Sequence, residues 1–212
     1  MTAATEALVR GRDALLAMQH AEGWWKGVLD TNVTMDAEDL LLRQFLGVLT
    51  PEQASATAAW IRSQQRDDGT WATFHGGPPD LSTTVEAYVA LRLAGDPADI
   101  AHLEKARAFI LEQGGIESTR IFTRLWLALF GVWPWDALPA LPPEVMLLPR
   151  WCPLNIYDFA CWARQTIVPL TVVGAIRPVR SLGFGLDELR TGAQSPPRHA
   201  GRVRRARPLH RP

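Results

Sequence analysis

Apolar positions recur at helical spacing through most of this chain. They predict helices over about 5 to 19, 34 to 48, 51 to 65, 83 to 94, 98 to 113, 119 to 130 and 155 to 175. Acidic Asp36, Glu38 and Asp39 open the second of these, where they suit the positive end of a helix dipole. Pro51 opens the third, and Gly95 closes the fourth. Thr83 to Glu86 has capping-box spacing, so the fourth helix is expected to start at Thr83 with Glu86 reaching back to the cap. Between Trp133 and Pro153 six prolines rule out a helix interior and predict a long connection. From Thr191 the apolar periodicity stops in favour of Pro, Arg, His, Gly and Ala, which predicts a disordered tail over 191–212 after a folded part over 1–190.

The helices are punctuated by a repeat. Gln19, Gly23 and Trp25 hold positions that Gln65, Gly69 and Trp71 hold again, and Leu15 and Ile61 sit four residues before each glutamine. A worn third copy occurs at Gln113-Gly114-Gly115, where the tryptophan is lost. The glutamines are 46 and then 48 residues apart, a period that fits two helices and two turns. The predicted fold is therefore all-α, an incomplete α–α barrel of helix pairs, since six such pairs would need on the order of 280 residues. In each corner the glycine supplies a positive φ, and the glutamine amide is expected to bond backbone groups at the start of a neighbouring helix under cover of the indole. The six corner residues are thus structural.

Composition narrows the function classes. Nine tryptophans in 212 residues are well above ordinary usage, and zero net charge hides an acidic body followed by seven arginines after Glu188. Those arginines alternate with no aromatic residue and accompany no nucleic-acid motif, so no nucleic-acid partner is expected. The N-terminus has neither the basic patch nor the apolar stretch of a signal peptide. The apolar runs Leu125 to Trp133 and Thr166 to Ile176 are too short to cross a bilayer. Cys152 and Cys161 read as reduced thiols, and the five histidines show no metal-ligand spacing, so exposed positions are expected for them.

Several ordered blocks are similar to the N-terminal part of squalene-hopene cyclases: Gly23-Trp-Trp-Lys-Gly27, Asn32-Val-Thr-Met-Asp-Ala-Glu38, Gln65-Arg-Asp-Asp-Gly-Thr-Trp71, Gly76 to Leu91, Gly114 to Leu129 and Pro153 to Thr166. The resemblance covers residues 8 to about 190. It implies two α–α barrel domains around an apolar cavity, attached peripherally to a membrane on the cytoplasmic side. It also implies a polyisoprene substrate, squalene or similar, protonated by an Asp-x-Asp-Asp motif and cyclised through carbocations, without metal or other cofactor. On this resemblance Trp162 and Trp126 are candidates for the cavity wall, against plain core packing. Glu38, Glu86 and Arg124 match polar positions that support the cavity, with a buried Glu38–Arg124 pair as the expected arrangement. Asp-x-Asp-Asp occurs nowhere in the chain, and Asp36-Ala-Glu-Asp39 does not match it. Protonating an unactivated alkene requires a positioned strong acid. The chain alone is therefore expected to be inactive, as a truncated, frame-shifted or split cyclase that needs a companion chain for the acid. A non-catalytic module for an apolar ligand or a protein is the alternative reading.

Overall fold

The computed structural model describes residues 2–26, 32–139, 142–153 and 155–192. The tail expected to be disordered lies almost wholly outside them. Among the described residues there are seven α-helices, several one-turn 3-10 helices and no strand, only an isolated bridge between Ala72 and Pro79. The chain divides into two compact units between residues 31 and 32.

In the first unit α1 (Ala3–Ala17) begins at Thr2, whose hydroxyl accepts from the Thr5 amide, and it buries no side chain. The first Gln-Gly-Trp corner follows. Gln19 Nε2 donates to the Gly23 carbonyl at 2.7 Å, Gly23 has φ 89°, and Trp25 Nε1 donates to the Leu15 carbonyl at 2.6 Å.

The second unit contains α2 (Thr34–Leu46), α3 (Pro51–Ser63), α4 (Leu81–Leu93), α5 (Ala101–Glu112), α6 (Ile121–Leu129) and α7 (Cys161–Ile176). Helices α2, α4 and α6 pack directly on one another, α3 lies against α2 and α4, and α5 lies against α4. This is the inner and outer layering of an incomplete α–α barrel. Central α4 is buried on every side from Ser82 to Leu91, which explains its lack of amphipathic pattern.

Helix starts differ from expectation where the sequence offers two registers. Asp80, not Thr83, caps α4: its carboxylate accepts from the Thr83 amide at 2.7 Å. Glu86 therefore stands well inside the helix, too far along to bond the cap, and its capping role is overturned. Likewise α7 starts at Cys161 rather than near 155, because Asn155 instead organises a tight loop. Its amide donates to the carbonyls of Arg150 and Cys152 and to Asp158, while its carbonyl accepts from the Tyr157 amide.

The second Gln-Gly-Trp corner reproduces the first and adds a bond to a neighbouring helix. Gln65 Nε2 donates to the Gly69 carbonyl at 2.8 Å and also to the His102 carbonyl in the first turn of α5 at 2.9 Å. Trp71 Nε1 donates to the Ile61 carbonyl at 2.8 Å. The apolar residue four before each glutamine thus supplies the carbonyl that the corner's indole needs. Trp71 is 1% exposed and Trp25 51%, so identical local geometry sits in different packing. At the worn third corner the Gly114 carbonyl accepts instead from Ser118 and Thr191.

Candidate functional site

The inner layer brings polar side chains from three helices to one place. Glu86 on α4 is buried, its side chain only 1% exposed. Arg120 Nη2 donates to Glu86 Oε2 at 2.9 Å, and the Thr123 hydroxyl donates to Oε1. Arg120 also reaches Thr34 on α2 at 3.3 Å, and the Thr34 hydroxyl donates to Thr83 on α4. Arg120 is held in place by its own backbone: as the extended N-cap residue of α6 it donates its amide to Ser82 Oγ at 2.9 Å. Its side chain is therefore thrown back toward α4 and α2.

Glu38 on α2 joins the cluster as a half-buried carboxyl. Burial first, and then the neighbouring Glu86 charge, push its pKa up, while the Trp126 side chain as hydrogen-bond donor and the Arg120 charge pull it down. Burial likewise raises Glu86 above the ordinary glutamate range, against the opposing effects of Thr123, Arg120 and Thr34. One guanidinium thus faces two carboxyl groups, and burial raises the pKa of both. Beside the cluster runs a narrow apolar crevice bordered by Leu41, Val89, Trp126 and Phe130.

The expected Glu38–Arg124 pair does not form. Arg124 Nε donates to the Thr119 carbonyl at 2.8 Å, and its guanidinium lies 5.5 Å from the centre of the Trp133 ring. The cation of the cluster is Arg120, one helical turn earlier, and Thr123 and Thr34 complete it. Sequence reading passed over all three, although an arginine directly before the α6 apolar run, followed by threonine at i+3, was the available signal. Trp126 borders the crevice, half-buried. Trp162, at the start of α7, is 76% exposed and is not among the crevice residues.

Elsewhere, His102 is not the exposed residue expected: its Nε2 lies 2.9 Å from Asp96, which Arg62 grips with two bonds of 2.9 and 2.5 Å. No group of three His, Cys, Asp or Glu among the described residues is arranged to hold a metal ion. No helix among them is long and apolar enough to cross a membrane.

Within the second unit, two layers of α-helices enclose a polar cluster centred on the buried Glu86 carboxylate, beside an apolar crevice, as in an incomplete α–α barrel. The sequence matches the family described as "Squalene-hopene cyclase N-terminal domain" over residues 8–209, and the chain belongs to that family. It is 49% identical over 172 residues to a squalene–hopene cyclase of Alicyclobacillus acidocaldarius, covering 81% of this chain and 27% of that protein. A squalene–hopene cyclase of Zymomonas mobilis is 42% identical over 83% of this chain and 27% of its own length. A dammaradiene synthase of Dryopteris crassirhizoma is 41% identical over 87% of this chain and 27% of its own length. The chain thus corresponds to the N-terminal part of triterpene cyclases and spans about a quarter of the length of these relatives.

Proposed function

We propose that this chain supplies one wall of a hydrocarbon-folding cavity in which squalene or a similar polyisoprene is cyclised, and that turnover requires a companion polypeptide carrying the proton donor. The observation that carries the reading is the buried Glu86 carboxylate paired with the partly exposed Arg120, joined by Glu38 and Thr123 beside the Trp126 crevice. A carboxylate is costly to bury even beside a cation, so a structural core alone gains little from one. A fixed arrangement of charge and indole faces beside an apolar crevice instead suits a reaction that develops positive charge on hydrocarbon. In this reading Glu38, Glu86, Arg120 and Trp126 border the cavity. Trp162 joins its aromatic wall once further helices cover α7, and Arg124 supports the wall from behind through Trp133.

General acid chemistry cannot come from this wall, because a carboxyl held up by burial is a weaker acid, not a stronger one. The companion must bring an acid of the Asp-x-Asp-Asp kind. Exposed Leu147, Trp151 and Trp162 fit contact with such a companion or with a membrane surface on the cytoplasmic side. The test is to supply squalene to the purified chain alone and to the chain mixed with the Alicyclobacillus acidocaldarius relative lacking its matched N-terminal part. Cyclised product should form only in the mixture, and should be lost with Glu86→Ala. Turnover by the chain alone, or none in a mixture shown to associate, defeats the proposal.

A further inference from the structure

After α7 the chain returns as a strap, residues 177–192, along the body. Arg180 donates its amide to the Leu129 carbonyl at the end of α6 (2.8 Å), and Leu186 and Leu189 are buried at 2% and 0% exposure. Two charged residues of this strap reach α4 and the segments flanking α6, two of the three helices that build the polar cluster. Glu188 Oε1 accepts from the Tyr88 hydroxyl at 3.1 Å and from Arg92 Nη1 at 2.6 Å, both on α4, a short way beyond Glu86. Arg190 donates to the Val132 carbonyl, just past the end of α6. Its guanidinium also lies 3.5 Å from Glu117 Oε1, in the turn just before Arg120.

Glu117 makes the second grip consequential. Its side chain is 11% exposed, neither carboxylate oxygen has a hydrogen-bond partner among the described residues, and Arg190 is the cation beside it. A buried carboxylate needs a counter-charge, so the turn that carries Arg120 is tied to the strap. The other group near Arg190, Asp187 at 3.7 Å, is exposed and competes weakly.

We propose that Glu188 and Arg190 are positioning residues that clamp α4 against α6 at the separation where Glu86 meets Arg120 and Thr123. Neither touches the cluster; each acts through the helix it grips. The proposal rests on the reading of that cluster as cavity wall, and supplies the device that holds the wall in shape.

The test is carbon-13 NMR titration of Glu86 in the full chain, followed together with its neighbours Glu38 on α2 and Arg120 on α6. In Arg190→Gln and Glu188→Gln the helices separate and water enters. Burial is the largest influence raising Glu86, so its midpoint should fall toward the ordinary glutamate value. Arg190→Lys keeps the charge facing Glu117 and should hold the midpoint nearer wild type. Ile61→Val, a core change on α3 away from the strap, should lower thermal stability and leave the midpoint alone. Glu188→Gln loses the charge facing Arg92 but keeps an acceptor for Tyr88, so it is the milder variant and carries the same test, with a smaller shift, if Arg190→Gln fails to fold. Strap variants that lose stability while the Glu86 midpoint stays at its wild-type value would overturn the proposal. A moved midpoint together with a failed turnover assay would keep the clamp and discard the cavity.

Discussion

Replacing Arg120 by alanine is the sharpest perturbation this structure offers. The guanidinium is the one cation among the described residues bonded to Glu86, whose side chain is 1% exposed, while Arg120 itself is 38% exposed. Removing one partner of a fully buried pair costs about 3 to 5 kcal/mol, and the partial exposure of Arg120 reduces that to about 2 kcal/mol through solvent screening. For a unit of this size the loss corresponds to a Tm lower by about 4 to 8 °C. The pH dependence gives the sign. A carboxyl whose folded pKa lies above its ordinary value of 4.5 contributes stability that is fully present below that value and is lost as pH rises through the folded pKa. Without Arg120 the folded pKa of Glu86 rises further, so the deficit should widen from about pH 4.5 upward. Urea unfolding followed by far-UV circular dichroism at pH 5 and pH 8 measures it. Glu86→Gln in the Arg120→Ala background should remove most of the pH dependence. A loss that is the same at both pH values, or no larger than that of Arg124→Ala, would refute the assignment of Arg120 as the counter-charge.

Two further outcomes follow from local geometry. Gly69 and Gly76 both have positive φ, +84° and +73°, but a Cβ on Gly69 would lie 2.3 Å from Lys105 Cβ, whereas one on Gly76 meets nothing within 4 Å. Alanine should therefore cost about 1 to 2 kcal/mol at Gly76 and clearly more at Gly69, where overpacking against α5 adds about 1 to 3 kcal/mol. Equal losses in urea unfolding would contradict this. Burial works to raise the Asp96 pKa, but Arg62 and His102 outweigh it and leave the group below its ordinary 3.8. Its stabilisation is present above pH 3.8 and lost as pH falls through the folded value, so Asp96→Asn should flatten the acid limb of the stability curve below about pH 4. An unchanged acid limb would remove that triad from the account.

The repeated Gln-Gly-Trp corners, the helix count and the all-α fold were legible because they rest on short-range rules. Periodicity, a glycine at a positive-φ corner and an indole that reaches a carbonyl ten residues back all operate within one stretch of chain. The same rules fixed the phase of Leu15 and Ile61. Local rules failed where two answers were locally equivalent. Asp80 and Thr83 both make sound caps, and the choice between them moved Glu86 from a cap to the middle of a buried helix.

The identity of the cluster's cation was a choice of the same kind. Arg120 stands directly before the α6 apolar run and Arg124 one turn inside it, and the threonine three residues after Arg120 was too slight a local signal to choose between them. What does is a bond from the Arg120 amide to Ser82, across a gap of 38 residues, together with the depth of Glu86 between α2, α4 and α6. The strap is equally silent in sequence, since Glu188 and Arg190 acquire meaning only when Tyr88, Arg92 and Glu117 lie beside them. The sequence by itself determined which segments are helices and how they turn, because those energies are set by near neighbours. Only the tertiary structure decided which charges meet, because burying a charge is settled by partners that the chain brings together from far apart.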